Sequence, residues 1–212
     1  MSDFFSTDAT KISAKAGYHH GDLRTQLLNA VRVLVEEKGA ENFSIAEAAR
    51  KAGVSTAAPY RHFKDKPAIL RALVLHAMEG LSHDMNAVMQ PHPVGSIERI
   101  NALGKSYIDF ARAHPGMFRL VFGFSEGHEG DDELKACGRA VFGIVIEAVG
   151  NYLGVPADDP RATERAYMLW TVVHGHSWLI IDGKTKAHDM QVDEETMLAA
   201  VSDGLIASQK SI

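Results

Sequence analysis

Ser44-Ile45-Ala46-Glu47 reads as a capping box, in which the serine hydroxyl accepts from the Glu47 amide and the glutamate reaches back to the serine amide. A helix therefore starts near residue 45. It stops at Gly53, the residue type that most easily takes the left-handed backbone of a sharp turn. Val54 follows as an apolar plug, and Ser55 is placed to cap a third, short helix carrying Thr56, Ala57, Ala58, Tyr60, Arg61 and His62. Two short helices joined by a tight glycine turn make a helix-turn-helix.

The flanking segments are helical too. Between residues 22 and 38, Leu23, Leu27, Ala30, Val31, Leu34 and Val35 recur at three and four, and Gly39 ends the run. Asp65 supplies another N-cap, with Pro67 in the first turn, where a missing N–H costs little. The stripe Ile69, Leu70, Leu73, Val74, Ala77, Met78 and Leu81 then marks a long connecting helix. A break at residues 90–95 precedes a helix capped by Ser96, and His114-Pro115-Gly116 ends it. A short apolar helix follows over 117–124, a Gly/acid loop over 125–133, and further helices over 133–153, 161–182 and 193–208. With no strand-like alternation and no repeat, the expected fold is all-α with about nine helices. The expected divisions are a flexible tail over 1–17, a three-helix domain with the helix-turn-helix over 18–65 and a larger C-terminal helical domain over 66–212.

A net charge of -5 looks wrong for a DNA binder until it is divided along the chain. Residues 11–82 hold eleven Lys/Arg against seven acids, so the N-terminal part is locally basic and the remainder acidic. The single Cys137 cannot form an intramolecular disulfide or a cysteine-based zinc site, and no signal-peptide pattern opens the sequence. No apolar run is expected to cross a bilayer, so a cytoplasmic protein with no membrane partner is expected.

Small side chains at Thr56, Ala57 and Ala58 suit a helix that must approach base edges closely, although they also suit plain packing. Tyr60, Arg61, His62 and Lys66, with the hydroxyls of Ser44 and Ser55, add groups able to reach phosphates. Lys11 and Lys15 belong to the tail, and Phe63 reads as core. The order Phe43-Ser44-Ile45-Ala46, Ala49, Gly53-Val54-Ser55, then Pro59-Tyr60-Arg61-His62-Phe63-Lys64-Asp65-Lys66, closely resembles the signature of the tetracycline-repressor (TetR) family over residues 18–78. That resemblance implies an N-terminal DNA-binding domain, dimerisation through the last long helices, and repression relieved when a small molecule binds the C-terminal domain. Trp170, Val173-His174-Gly175 and His114-Pro115-Gly116 resemble the subgroup named for a Trp-His-Gly motif. Ala57 departs from the family's usual glycine, and Pro67 from its common acid.

In the body, Tyr107, Phe110, His114, Met117, Phe118, Phe122, Phe142, Trp170, His174 and Trp178 mix bulky apolar groups with a few polar ones, the composition of a small-molecule pocket, or of ordinary core. His174 and His176 point about 200° apart on a helix, so no metal site is expected from them, and no cofactor is expected at all. Gly138, Ala140, Gly143, Ala166 and Gly175 would let two helices per subunit meet closely in a two-fold seam. Two reading heads on that axis would sit roughly 34 to 36 Å apart, or a multiple, on a palindromic operator in double-stranded DNA. No nucleophile-base pair, phosphate-cradling loop or His-Glu-x-x-His element points to an enzyme. A second alternative keeps the DNA-binding head but gives it an activating or protein-interaction body with no inducer.

Overall fold

A computed structural model describes residues 20–123 and 130–206, without the side chains of 20–22. Among the described residues the chain has nine α-helices and no strand: α1 (His20–Lys38), α2 (Ile45–Lys51), α3 (Lys66–Met89), α4 (Ile97–Ala113), α5 (Pro115–Gly123), α6 (Asp132–Leu153), α7 (Pro160–Ile181), α8 (Lys184–Ala187) and α9 (Glu194–Leu205). The tail with Lys11 and Lys15, and most of the expected 125–133 loop, lie outside the described residues.

These are not the nine helices the sequence suggests. The third helix of the expected helix-turn-helix is a 3-10 turn, Pro59–Arg61, and the short α8 restores the number. Pro59 explains the change. It has no N–H to give the Ser55 carbonyl, so that carbonyl takes the Ala58 amide at 3.0 Å. The pattern continues with Arg61 N–H to Ala58 O at 3.2 Å and His62 N–H to Pro59 O at 3.0 Å, the tighter i to i+3 ladder.

The chain divides into two compact units, and not at residue 65. The first runs through residue 80 and takes in 114–131; the second comprises 81–113 and 132–212. In the first, Leu27, Leu28, Val31, Leu34 and Val35 of α1 pack with Ala48, Ala49, Phe63, Ile69 and Leu73, all almost fully buried. α5 joins this unit because Glu36 of α1 caps it: the carboxylate accepts from the Gly116 amide at 2.8 Å and the Met117 amide at 3.0 Å. Met117 and Phe118 are fully buried there. In the second unit, α4, α6, α7 and α9 pack together through Ile100, Leu103, Ile108, Val149, Ala162, Ala166 and Leu198.

One helix runs against expectation. α6 has an 18-residue window of mean hydropathy 1.2, long and apolar enough by length and composition to cross a membrane, yet only 17% of that window is buried within the chain.

Candidate functional site

The helix-turn-helix is built on local chemistry. Ser44 Oγ accepts from the Glu47 amide at 3.1 Å, and α2 follows. The Glu47 carboxylate turns outward to Lys38, which, with help from the Ser44 amide, holds its pKa below the ordinary carboxylate value. Lys51 pairs with Glu37 at 3.0 Å, giving a second brace between α1 and α2. Ala48 and Ala49 are fully buried, so the two helix backbones approach closely. Gly53 takes φ +70, as the turn requires, and the Val54 amide bonds back to Ala49 O at 3.0 Å. Asp65 Oδ1 accepts the Ala68 amide at 2.9 Å and starts α3.

Between these braces an edge faces outward. Ser55, Thr56, Ala57 and Arg61 are exposed, and Tyr60 keeps 60% of its surface despite its size. Ser44 is also exposed, but its hydroxyl is engaged as the α2 cap. His62 is half-buried, its ring tilted against Phe63. Phe63 is core, as its sequence position suggests, with the Arg24 guanidinium 5.4 Å from its ring centre. Ala58 departs from expectation: with Pro59 it is buried beneath the turn and presents nothing to a groove. Lys66 departs further. Its ammonium donates to Glu41 O at 2.8 Å and Phe43 O at 3.0 Å and lies 4.5 Å from the Phe43 ring centre, so it ties α3 to the loop before α2. The exposed cation near this edge that sequence reading passed over is Lys64, marked only by its place beside the turn.

In the second unit an apolar cavity of about 40 Å³ lies among α4, α7 and α9, closed by Leu103, Gly104, Tyr107, Trp170, Val173 and Leu198. Gly104 is what lets α9 close over α4, since a Cβ there would stand 2.7 Å from Leu198 Cδ2. Tyr107 and Trp170 belong to a hydrogen-bonded aromatic group. Trp170 Nε1–H donates to the Tyr107 oxygen at 3.2 Å, Tyr107 Oη lies 2.7 Å from His174 Nδ1, and Trp178 Nε1–H donates to His174 Nε2 at 2.9 Å. An indole N–H only donates, so Nε2 is the acceptor and the neutral His174 carries its proton on Nδ1, donating to Tyr107. Burial holds His174 below its ordinary pKa of 6.5 and pushes the Tyr107 phenol well up.

Of the ten residues expected at a pocket, Tyr107 and Trp170 line the cavity. His174 and Trp178 stand behind them, and the Phe142 ring packs 5.5 Å from Trp170. Phe110 is buried on α4 but does not reach the cavity wall. His114, Met117, Phe118 and Phe122 are not brought to it: all four belong to the first unit, where the Phe118 and Phe122 rings pack at 4.7 Å. Missed by sequence reading were Gly104, Val173 and Leu198, which carry no chemical signature, although a glycine inside a helical pattern hints at a close approach. His176 does point away from His174, toward Glu194 at 3.3 Å.

The wiring makes a pH prediction. Because the native His174 pKa lies below 6.5, the unfolded chain takes the proton first; the stability supplied by the neutral ring is complete above pH 6.5 and is lost as pH falls below it. The urea midpoint should therefore fall between about pH 7 and about pH 5.5, and fall less steeply in Trp178→Phe, which removes the donor that opposes a proton on Nε2. Parallel slopes in the two proteins would reject this wiring.

A further face of the second unit is apolar and uncovered. On α7, Tyr167, Thr171, Gly175 and Leu179 form one exposed stripe at a spacing of four, with Tyr167 58% and Leu179 46% exposed. A Cβ at Gly175, or at Gly143 of α6, would meet nothing within 4 Å.

Comparison with known proteins agrees with the order of these parts. Residues 27–73 match the family of bacterial regulatory proteins, tetR family, and residues 100–204 match the tetracyclin repressor-like C-terminal domain. The nucleoid occlusion factor SlmA of Haemophilus influenzae (strain PittGG) is 34% identical over 101 residues, 47% of this chain and 46% of that protein. SlmA of Vibrio vulnificus (strain YJ016) is 30% identical over 109 residues, 51% of this chain and 55% of that protein, so the chain spans about half the length of these curated relatives. Among solved structures, a protein of unknown function from Rhodococcus sp. RHA1 superposes with TM-score 0.75 at 26% identity, covering 92% of this chain and 98% of that one. A tetR-family transcriptional regulator from Streptomyces coelicolor does so with TM-score 0.68 at 19% identity, covering 92% and 86%. With residues 27–73 and 100–204 accounted for in this way, the chain belongs to the tetracycline-repressor family of bacterial regulatory proteins.

Proposed function

We propose that the chain is a repressor that binds a palindromic operator as a homodimer in the cytoplasm and is released by a small hydrophobic ligand. The observation that carries the DNA-binding part is the exposed edge of Thr56, Ala57, Tyr60 and Arg61 on a helix-turn-helix whose every other large apolar side chain is at least partly buried. Thr56 and Ala57 read base edges; Tyr60, Arg61 and Lys64 hold phosphates, and Lys64 takes the role that the sequence suggests for Lys66. The α7 stripe with the apolar, little-buried α6 forms the dimer seam, each face meeting its own copy.

These roles separate in a salt titration of operator binding. Arg61→Ala with Lys64→Ala should lower the slope of log affinity against log salt by about 2 per subunit, roughly 0.9 for each phosphate no longer neutralised. Tyr60→Ala should weaken all sequences alike, and Thr56→Val should change base preference. Lys66→Ala should reduce stability and leave the slope unchanged. An unchanged slope in the Arg61/Lys64 variant would remove the proposed reading edge.

The rival, a DNA-binding head on a body that takes no small molecule, draws support from the small volume of the cavity. Ligand titrations separate the two.

A further inference from the structure

The reading edge of the proposed repressor, the assignment on which this inference rests, has an outermost point. The Ala58 amide donates to Ser55 O at 3.0 Å, so Ser55–Ala58 is a tight turn with Thr56 and Ala57 at its two central positions. Ser55, Thr56 and Ala57 are exposed, whereas Ala58 and Pro59, next in the chain, are buried. The base of the turn is fixed. The proline ring holds its own φ, and Pro59 O accepts the His62 amide at 3.0 Å and the Phe63 amide at 2.9 Å. With its footing held in this way, the tip keeps its shape as it meets a groove.

What the tip offers there follows from its side chains. From Val54 to Tyr60 the residues are Val, Ser, Thr, Ala, Ala, Pro and Tyr, a stretch with no amide, guanidinium or carboxylate. Pairing a side chain to a base edge through two hydrogen bonds is therefore closed to it. Thr56 carries a hydroxyl as well as a methyl group, so it has a polar choice. Ala57 has a methyl group alone.

In the major groove one base presents a group of the same kind, thymine with its C5-methyl; the other bases present hydrogen-bond donors and acceptors. A methyl group pressed against those would take water from a polar atom and return no hydrogen bond. Against thymine it buries two apolar surfaces together.

We infer that Ala57 is a specificity-determining residue, selecting a thymine in each operator half-site through its C5-methyl group.

The test uses the full chain and the duplex that it selects from a random-sequence pool, at one salt concentration. Each dT of a half-site is replaced in turn by dU, which lacks the methyl group and keeps every pairing group. At one dT per half-site affinity should fall about fourfold, and about fifteenfold when both half-sites are altered, the effect of one and two buried methyl groups. At that position 5-methylcytosine opposite guanine should bind about fourfold better than cytosine, since the two differ by the methyl group alone. In Ala57→Gly the dT and dU duplexes should bind alike there, whereas Tyr60→Ala should weaken both and keep their ratio. Each ratio is taken within one protein, so a variant's general loss of affinity cancels, and the dU series on the unaltered chain stands without any variant. Indifference to dU at every thymine, selected half-sites without thymine, or a dU effect that persists in Ala57→Gly would overturn the assignment while the DNA-regulator reading stands. Failure to select any sequence would overturn both.

Discussion

Gly116→Ala is expected to lower the free energy of unfolding by about 2 to 4 kcal/mol. A Cβ at residue 116 would stand 2.7 Å from the Val35 carbonyl oxygen and 2.8 Å from the Glu36 Cα, and neither backbone atom can swing aside. The third neighbour, Glu36 Oε2 at 2.9 Å, belongs to the carboxylate that receives the Gly116 and Met117 amides. Forcing α5 away from α1 therefore lengthens two charge-assisted hydrogen bonds as well as opening the packing around Met117 and Phe118. Burial holds the Glu36 pKa above the ordinary carboxylate value even against these two amides and the nearby Arg32 and Arg119, which marks how far the group has left water. Urea denaturation measures the effect: the midpoint should drop with an unchanged m-value. A loss below about 1 kcal/mol would mean that α5 is not docked on α1 as described.

Thr171→Glu combined with Leu179→Glu should leave the protomer folded and separate it from its copy. Both positions are exposed on α7, so helical content is expected to stay the same. Across a two-fold axis each new carboxylate meets the same patch of its mate, so like charges are brought together in an apolar seam. Sedimentation should show a monomer, and operator affinity should fall by about 100- to 10,000-fold, because each head then binds without the effective concentration that its linked partner provides. A dimer of undiminished stability would place the seam elsewhere.

The helix-turn-helix was legible because its signals are local. The Ser44 hydroxyl bonding the Glu47 amide, the turn at Gly53 and the Asp65 cap each act within four residues, and all three are found where the residue types placed them. What sequence did not disclose depends on distance along the chain. Lys66 looked like a phosphate anchor, but carbonyls 25 and 23 residues earlier capture it. Pro59 was visible, yet the Ser55 cap suggested an α-helix where the missing proline N–H selects a 3-10 turn. In the body, aromatic richness pointed to Tyr107, Trp170, His174 and Trp178, whose bonds link positions up to 67 residues apart. The same richness swept in Met117, Phe118 and Phe122, because composition cannot tell one core from another. Leu198 and Gly104 went unnoticed for the opposite reason: an aliphatic side chain and a bare backbone acquire meaning only when the fold brings them face to face.

The docking of α5 onto α1 means that the DNA-reading unit is written in two separate stretches of the gene. A chimera made by exchanging only the first eighty codons would graft a head without the helix that Glu36 caps, leaving Val35 and Glu36 against whatever α5 the recipient brings. Swaps of operator specificity between relatives should therefore succeed only when residues 114–131 travel with the N-terminal segment.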